Sequence, residues 1–328
     1  MTPLFLPIAA LMVGIVGLVL GADKFVAGSA GAARNFGISP MLIGLTIVSI
    51  GTSAPEIIVS INAALDGVGE LAVGNAIGSN LANIGLVLGI TALIAPLPVN
   101  RQLLREESPV LLFITLLAAL CLYDGVLRRL ESVLLALLVI PLLFLLVKYK
   151  QKNAEPSDDD DSDIPQISTK TAALCFVGGL AVLLISAKIT VWGAGEIAVL
   201  WGISELVIGL TVIALGTSLP ELAASIVSAL KGHHDIAVGN VFGSNLFNLM
   251  LVMTTAGAIA PIELSSAVLY RDYLSMALLT GMLVLFVAYA VKSARKNGGQ
   301  ALISRPLGAI FLSSYIGYYG ILWISLAQ

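Results

Sequence analysis

Charged residues are scarce in this sequence: Asp, Glu, Lys and Arg make up 11% of its 328 residues, whereas soluble domains carry about 25%. This scarcity excludes an ordinary soluble domain. Apolar runs longer than about 18 residues recur along the chain, which is typical of transmembrane helices. A membrane β-barrel would instead show segments of about ten residues with alternating polarity. The sequence therefore predicts an all-α polytopic membrane protein in a lipid bilayer.

Cysteine and histidine are almost absent, with two of each in the whole chain. Cys121 and Cys175 lie in apolar runs and are interpreted as small packing residues, not as a disulfide or a metal site. His233 and His234 lie in the polar stretch "KGHHD" and are interpreted as surface residues. No basic stripe points to nucleic acid, no cofactor is predicted, and the sequence identifies no protein partner.

The sequence repeats itself at an offset of 165 residues. "GTSAPE" at 51–56 corresponds to "GTSLPE" at 216–221, and "AVGNAIGSNLAN" corresponds further on to "AVGNVFGSNLFN". Between 37–87 and 202–252, 28 of 51 positions are identical without a gap. An internal repeat of this length indicates a duplicated architecture.

The first half is 1–148 and the second is 171–328, and each is predicted to contain five spans. Five is an odd number, so the second half enters the membrane in the opposite sense, which is the inverted-repeat plan of secondary transporters. The first apolar run lacks the basic residue that normally precedes it in a signal peptide, so it is predicted to be a retained span. The ten spans lie near 4–20, 38–65, 71–94, 109–122, 132–147, 172–190, 203–230, 236–260, 269–291 and 307–326.

A polar linker at 149–170 joins the halves and holds five aspartates between positions 158 and 163. It is interpreted as a solvated, acidic cytoplasmic loop. With the N-terminus outside, 13 Lys and Arg residues fall in predicted cytoplasmic loops and 4 fall outside, as the positive-inside rule requires. The even number of spans then predicts that both termini lie outside.

Each repeat places a proline and a glutamate inside an apolar span. Proline lacks the N–H that a helix interior needs, and its ring clashes with the carbonyl four residues earlier. Those carbonyls belong to Gly51 for Pro55 and to Gly216 for Pro220. Backbone freed at membrane depth is tolerated only where it is buried in protein or lines a wet cavity. Each motif therefore predicts a broken helix with carbonyl groups available to a cation.

Oxygen-bearing side chains lie around each break at helical spacing, except that Ala214 stands in the second half where the first half has Ser49. They are Ser49, Thr52, Ser53, Glu56 and Ser60, repeated as Ala214, Thr217, Ser218, Glu221 and Ser225, and then Asn75, Ser79 and Asn83, repeated as Asn240, Ser244 and Asn248. Ca²⁺ and Na⁺ prefer such ligands, whereas softer metals prefer imidazole or thiolate. Because a lone ionised carboxylate costs roughly 3 kcal/mol or more in a bilayer, the two glutamates are predicted to bind cations.

These motifs resemble the two repeats of the cation/Ca²⁺ exchanger superfamily, and particularly its prokaryotic Na⁺/Ca²⁺ exchanger branch. The resemblance covers nearly the whole chain and implies ten spans in two inverted five-helix repeats. It implies that Glu56 and Glu221 are the central metal ligands. Several relatives have aspartate at a position matching Asn83 or Asn248, so the ion stoichiometry and any K⁺ dependence stay open. The supporting ligands that it implies are Thr52, Ser53, Ser79, Asn83, Thr217, Ser218, Ser244 and Asn248.

The resemblance implies a secondary active antiporter of a prokaryotic inner membrane that exchanges Na⁺ for Ca²⁺ by alternating access. In this interpretation spans 2, 3, 7 and 8 form the ion-binding core, and the glycine-rich spans 1 and 6 slide across it. A Ca²⁺/H⁺ or K⁺-dependent antiporter is an alternative, although the H⁺-coupled branch has a further glutamate where this chain reads "GNAIGSN". An intramembrane enzyme is a more distant alternative, because a catalytic acid and base need different environments and these glutamates have matching ones.

Overall fold

The computed structural model describes residues 4–152, 167–203, 212 and 214–326, and these are almost entirely helical. In the first half the α-helices are α1 (Phe5–Phe36), α2 (Pro40–Ile43), α3 (Ser49–Thr52), α4 (Ala54–Leu65), α5 (Gly69–Ala82), α6 (Gly89–Ile94), α7 (Ser108–Leu122), α8 (Arg129–Leu137) and α9 (Val139–Lys152). In the second half they are α10 (Thr169–Leu200), α11 (Ala214–Thr217), α12 (Leu219–Leu230), α13 (His234–Phe247), α14 (Met253–Ile259), α15 (Leu274–Asn297) and α16 (Arg305–Leu326).

Shorter elements connect or continue these helices. The π-helical segments are Gly44–Val48, Asn83–Leu88, Leu103–Glu107, Asn248–Val252 and Val268–Tyr273. The strands are β1 (Leu97–Pro98), β2 (Val126–Leu127), β3 (Ile262–Glu263) and β4 (Leu302–Ile303). Strand β1 pairs antiparallel with β4, and β2 pairs antiparallel with β3.

Within the described residues, seven helices are long and apolar enough to cross a membrane, and an eighth is added if one bent pair counts as a single span. The predicted all-helical membrane architecture is confirmed at this level, while the number of ten spans stays a prediction. Part of the predicted span 203–230 and the aspartates at 158–163 lie outside the described residues. The seven helices are Phe5–Phe36, Gly69–Ile94, Arg129–Leu146, Thr169–Leu200, His234–Ile259, Val268–Asn297 and Arg305–Ser325.

Helices α1 and α10 are much longer than the apolar runs that predicted them. Each has 32 residues. In α1 the segment after the apolar run is rich in small, mostly buried residues that continue the helix, whereas the end of α10 is largely half-buried or exposed. Helix α1 ends where Gly37 adopts a left-handed conformation with φ of 63°, which favours glycine. The predicted span at 132–147 is divided between α8 and α9. Pro141 accounts for this break, since its ring clashes with the carbonyl of Leu137, the last residue of α8.

One compact unit comprises the described residues of 1–55 and 155–240, and therefore takes a part from each repeat. Its core lies between α1 and α10, where the aromatic rings of Phe25 and Phe176 are 4.9 Å apart. Small residues permit this close packing: a Cβ atom on Gly28 would lie 2.3 Å from the main-chain nitrogen of Phe176. Helix α12 also packs against α1 in this unit.

The second compact unit comprises 56–152 and the described residues from 241 onward. Its core includes α5 with the π segment after it, packed against α14, α15 and α16. Gly85 lies against the ring of Tyr315, and Gly89 lies against the backbone of Gly308. Both strand pairs lie in this unit, where they join the connection after α6 to the one before α16, and the connection after α7 to the one after α14.

Candidate functional site

Both predicted helix breaks are present, and each falls on the serine of the repeated motif. Ser53 separates α3 from α4 with φ of −81° and ψ of 6°, and the helices on its two sides are bent by 43°. Ser218 separates α11 from α12 with φ of −89° and ψ of 3°. Pro55 and Pro220 follow as the second residues of α4 and α12, a position that suits proline because its missing N–H is not needed there.

Each break places a glutamate in the first turn of the helix that follows it. Glu56 lies there in α4 and Glu221 in α12, and each side chain is 1% exposed. The free N–H groups and the dipole of a helix N-terminus favour a negative charge. The break therefore gives a buried carboxylate partial compensation at a depth where it would otherwise be costly.

In the first compact unit, Glu221 lies among hydroxyl groups from the broken helix of the other repeat. The Ser53 hydroxyl donates a hydrogen bond to Oε1 of Glu221 at 3.2 Å. The Thr52 hydroxyl donates to Oδ1 of Asn240 at 3.2 Å. Asn240 in turn donates from Nδ2 to the main-chain carbonyl of Glu221 at 3.4 Å and to Oγ of Ser225 at 3.1 Å. The predicted ligands Thr52, Ser53 and Glu221 are thus brought together by observed contacts.

Two glycines allow the segment before the first break to approach α13 closely. A Cβ atom on Gly44 would lie 2.6 Å from the carbonyl oxygen of Ile236, and one on Gly239 would lie 2.6 Å from that of Met41. Real Cβ atoms do not approach backbone so closely, so only glycine fits at these two positions. This approach lets the Ser49 hydroxyl donate to the carbonyl oxygen of Asn240 at 3.1 Å.

In the second compact unit, Asn75 repeats for Glu56 the contacts that Asn240 makes for Glu221. Its Nδ2 donates to the main-chain carbonyl of Glu56 at 3.3 Å and to Oγ of Ser60 at 3.4 Å. Since 75 and 240 are repeat counterparts, as are 60 and 225, the same bracing of the glutamate helix is present in both halves.

The predicted ligands of the third and eighth spans are all buried in the second unit: Ser79 is 4% exposed, Asn83 and Asn248 are 1% exposed, and Ser244 is 0% exposed. The π segments Asn83–Leu88 and Asn248–Val252 begin at the two predicted asparagine ligands. A π segment changes the hydrogen-bonding of one helical turn and is frequent at functional sites. Sequence reasoning missed these segments, because nothing in the residue pattern distinguishes them from an α-helix.

Several predicted ligands carry buried oxygens that have no hydrogen-bond partner among the described residues. A buried, unpaired polar atom costs about 1–3 kcal/mol, so each such atom calls for an explanation. Among the predicted ligands they are Oγ of Ser218 and Ser244, Oδ1 of Asn83 and Asn248, and Oε2 of Glu221. Oδ1 of Asn80 and of Asn245 is also buried and unpaired, so this feature alone does not separate ligands from packing residues.

Asn80 and Asn245 are not among the predicted ligands, and their amide nitrogens make packing contacts. Nδ2 of Asn80 donates to the main-chain carbonyl of Asn245 at 3.2 Å, which bridges α5 and α13, and Nδ2 of Asn245 donates to Val241 in its own helix.

Sequence reasoning overlooked the bracing role of Asn75 and Asn240, although both were among the predicted oxygen-bearing side chains. Their spacing from Ser79 and Ser244 by one helical turn was the available signal. The described hydrogen bonds show that their amide groups face the glutamate helices, so they support the ligands. Carboxylate, hydroxyl and amide oxygens together form a donor set that suits hard cations.

A family model described as "Sodium/calcium exchanger protein" matches this chain at residues 6–148 and again at 171–324. The chain is 44% identical over 320 residues to the putative antiporter CaxA of Alkalimonas amylolytica, covering 96% of this chain and 98% of that protein. It is 37% identical over 329 residues to the inner membrane protein YrbG of Escherichia coli K12, covering 98% of each.

A solved structure of the sodium-calcium exchanger NCX_Mj, soaked with zero Na⁺ and Ca²⁺, superposes on this chain with a TM-score of 0.82. The two chains are 32% identical, and the match covers 97% of this chain and 99% of that one. The likeness therefore extends over almost the whole chain.

Proposed function

The chain belongs to the sodium/calcium exchanger protein family, and from this premise we propose that it is a secondary active antiporter that exchanges Na⁺ for Ca²⁺ by alternating access. The matched proteins are exchangers and antiporters, so the intramembrane enzyme is no longer an alternative. The observation that carries the proposal is the pair of helix breaks at Ser53 and Ser218, each followed by a buried glutamate in a first helical turn.

The transported cations are the substrates of the proposed site, and ten residues are assigned to them. Glu56 and Glu221 supply the negative charge, which two carboxylates can balance against one Ca²⁺ or shared Na⁺ ions. Hydroxyl and amide groups supply neutral oxygens that replace water around the ion. The residues that carry these groups are Thr52, Ser53, Ser79, Asn83, Thr217, Ser218, Ser244 and Asn248. Support comes from burial and from the Ser53–Glu221 hydrogen bond.

Two inverted repeats of five spans each suit alternating access, because a duplicated, inverted fold can take two conformations that exchange the roles of its halves. Helices α1 and α10 are the proposed sliding elements, since they pack along small residues for most of their 32 residues. The ten spans and the outside location of both termini remain part of this proposal. A prokaryotic inner membrane is proposed because the relative YrbG is named an inner membrane protein.

Ca²⁺ uptake into sealed proteoliposomes tests the coupling ion. We expect an outward Na⁺ gradient to drive uptake of labelled Ca²⁺, with no need for K⁺ and no uptake when a pH gradient is imposed alone. The Glu56→Gln protein in matched vesicles gives the background. Uptake driven by the pH gradient and not by Na⁺ would establish the Ca²⁺/H⁺ alternative, and a requirement for K⁺ would establish the K⁺-dependent one. Absence of Ca²⁺ transport under every gradient would refute the proposal.

The proposed orientation is tested separately by cysteine labelling in intact cells, after Cys121 and Cys175 are replaced by serine. A cysteine placed between 158 and 163 should not react with an impermeant reagent added outside, whereas one at 67 should react. Labelling at 158–163 from outside would reverse the orientation without affecting the transport proposal.

A further inference from the structure

Asn240 is fully buried in α13, and its side chain contacts both broken helices within the first compact unit. Its Nδ2 has two acceptors on one side, which are the carbonyl oxygen of Glu221 at 3.4 Å and Oγ of Ser225 at 3.1 Å. Its Oδ1 accepts the Thr52 hydroxyl on the other side at 3.2 Å. One amide group therefore connects the residues around the first break with the helix after the second.

The orientation of this amide is determined by its partners. An asparagine amide has two hydrogens to donate from nitrogen and none from oxygen. A carbonyl oxygen can only accept, so the end of the amide that faces Glu221 must be the nitrogen. The oxygen must then face Thr52, whose hydroxyl has to donate to it.

This arrangement determines what the Thr52 hydroxyl can offer to an ion. A hydroxyl has one hydrogen and two lone pairs, and it binds a cation only through the lone pairs. The hydrogen of Thr52 has acceptors in Oδ1 of Asn240 at 3.2 Å and in the carbonyl oxygen of Ser49 at 3.4 Å. Both acceptors belong to the protein, so the lone pairs are directed away from them.

We propose that Asn240 is a positioning residue for cation binding: it holds the Thr52 hydroxyl hydrogen and presents the lone pairs of that oxygen to the transported Ca²⁺. This inference rests on the proposed function, which assigns Thr52 as a ligand. Asn75 makes the matching amide contacts to Glu56 and Ser60, so the bracing half of this role is present in both repeats.

The test is a double-mutant cycle between Asn240→Leu and Thr52→Val in proteoliposomes. Leucine retains the approximate volume of asparagine but accepts no hydrogen bond. We expect Asn240→Leu to raise the half-saturating Ca²⁺ concentration roughly tenfold, as loss of an oriented hydrogen bond allows, with a smaller change in maximal rate. In the Thr52→Val background the same change should raise it by a smaller factor, because the hydroxyl on which Asn240 acts is gone and only the contacts of its nitrogen with Glu221 and Ser225 remain to be lost.

Asn245→Leu is the matched control, since Asn245 lies in the same helix, is equally buried, and donates only within that helix at 2.7 Å to Val241. An equal loss of Ca²⁺ affinity from Asn245→Leu, or an undiminished effect of Asn240→Leu in the Thr52→Val protein, would overturn the inference. If Asn240→Leu does not insert, Asn240→Ala, which also accepts no hydrogen bond, replaces it in the same cycle. Failure of the wild-type protein to transport Ca²⁺ would refute the proposed function instead. A Ca²⁺-induced shift of melting temperature in detergent provides the second readout.

Discussion

The two repeats share their backbone breaks but differ in the side chains around them. Ser53 and Ser218 have φ angles of −81° and −89°, with ψ close to zero in both. Ser49, by contrast, has Ala214 as its counterpart, so only the first half has a hydroxyl at that position. The comparison indicates that the break is required twice, whereas each half can stabilise it differently. Matching substitutions in both halves therefore test the shared features, and a substitution in one half tests the features that only this half has.

The largest effect is expected from the glutamates, because they are the feature on which the two halves agree most closely. Glu56→Gln and Glu221→Gln should each lower Ca²⁺ transport by at least about 100-fold. Each change removes a carboxylate that pairs with the bound cation in the proposed site, and removing one partner of a buried charge pair costs about 3–5 kcal/mol. The measurement is initial Na⁺-driven Ca²⁺ uptake, normalised to inserted protein.

Glu263→Gln is the control for this pair, because Glu263 is exposed in strand β3 and should tolerate the change. If either buried glutamate could be replaced with near-normal uptake, the repeats would not be equivalent and that residue would leave the ligand set.

A qualitative change is expected at the asparagines that open the two π segments. Asn248→Asp adds a third carboxylate to the predicted ligands, and nearby like charges disfavour one another's ionised forms. We expect Ca²⁺ uptake by this protein to become several-fold more dependent on pH near neutrality, or on an added monovalent cation. Uptake is measured across a pH series with and without K⁺.

Asn80→Asp serves as the comparison, since Asn80 is not a predicted ligand and its amide bridges two helices. Its pH profile should change less than that of Asn248→Asp. A profile of Asn248→Asp that superimposes on wild type would remove Asn248 from the ligands.

The repeat made much of this arrangement predictable, because a glycine, a proline and a glutamate at fixed spacing imply a helix break from backbone chemistry alone. The predicted bounds of the spans were less accurate where a helix continues beyond its apolar run. In α1, the second half consists largely of small, weakly polar residues and is still helical. The π segments at Asn83 and Asn248 and the contacts of Asn240 could not be predicted. They depend on which helices pack together, and the compact units take residues from both repeats.

A moderate effect is expected from removing the hydroxyl that only the first half has. The Ser49 hydroxyl donates to the carbonyl oxygens of Gly44 at 2.6 Å and of Asn240 at 3.1 Å. Ser49→Ala makes this position match Ala214 and should lower the free energy of unfolding by about 1–2 kcal/mol, measured by thermal unfolding in detergent.

Ser29→Ala is the matched control, because Ser29 is also buried but bonds only within its own helix, to Phe25 at 2.8 Å. Its effect should be smaller than that of Ser49→Ala. Equal effects would show that the hydroxyl of Ser49 adds nothing specific to the first break.

At two positions the repeats carry charges of opposite sign. At the offset of 165 residues, Asp23 corresponds to Lys188, and Asp66 corresponds to Lys231. Within the first unit, Nζ of Lys231 lies 2.5 Å from Oδ1 of Asp23, and it donates to the Asp23 carbonyl at 3.3 Å. This pair joins α1 to the end of α12. Any sliding of α1 past α12 must therefore break it.

The smallest effect is expected here, because the Lys231 and Asp23 side chains are 34% and 40% exposed and an exposed ion pair contributes at most about 1 kcal/mol. Asp23→Asn and Lys231→Gln should each shift the half-saturating Ca²⁺ concentration on one membrane face by roughly two- to fivefold. The reversed pair, Asp23→Lys with Lys231→Asp, should restore it. In the proposed inverted arrangement of the repeats, Lys188→Gln and Asp66→Asn should shift it in the opposite direction. Shifts in the same direction from all four single changes would show that these charges act on the surface potential. They would then not act on the balance between the inward-facing and outward-facing states of the proposed transport cycle.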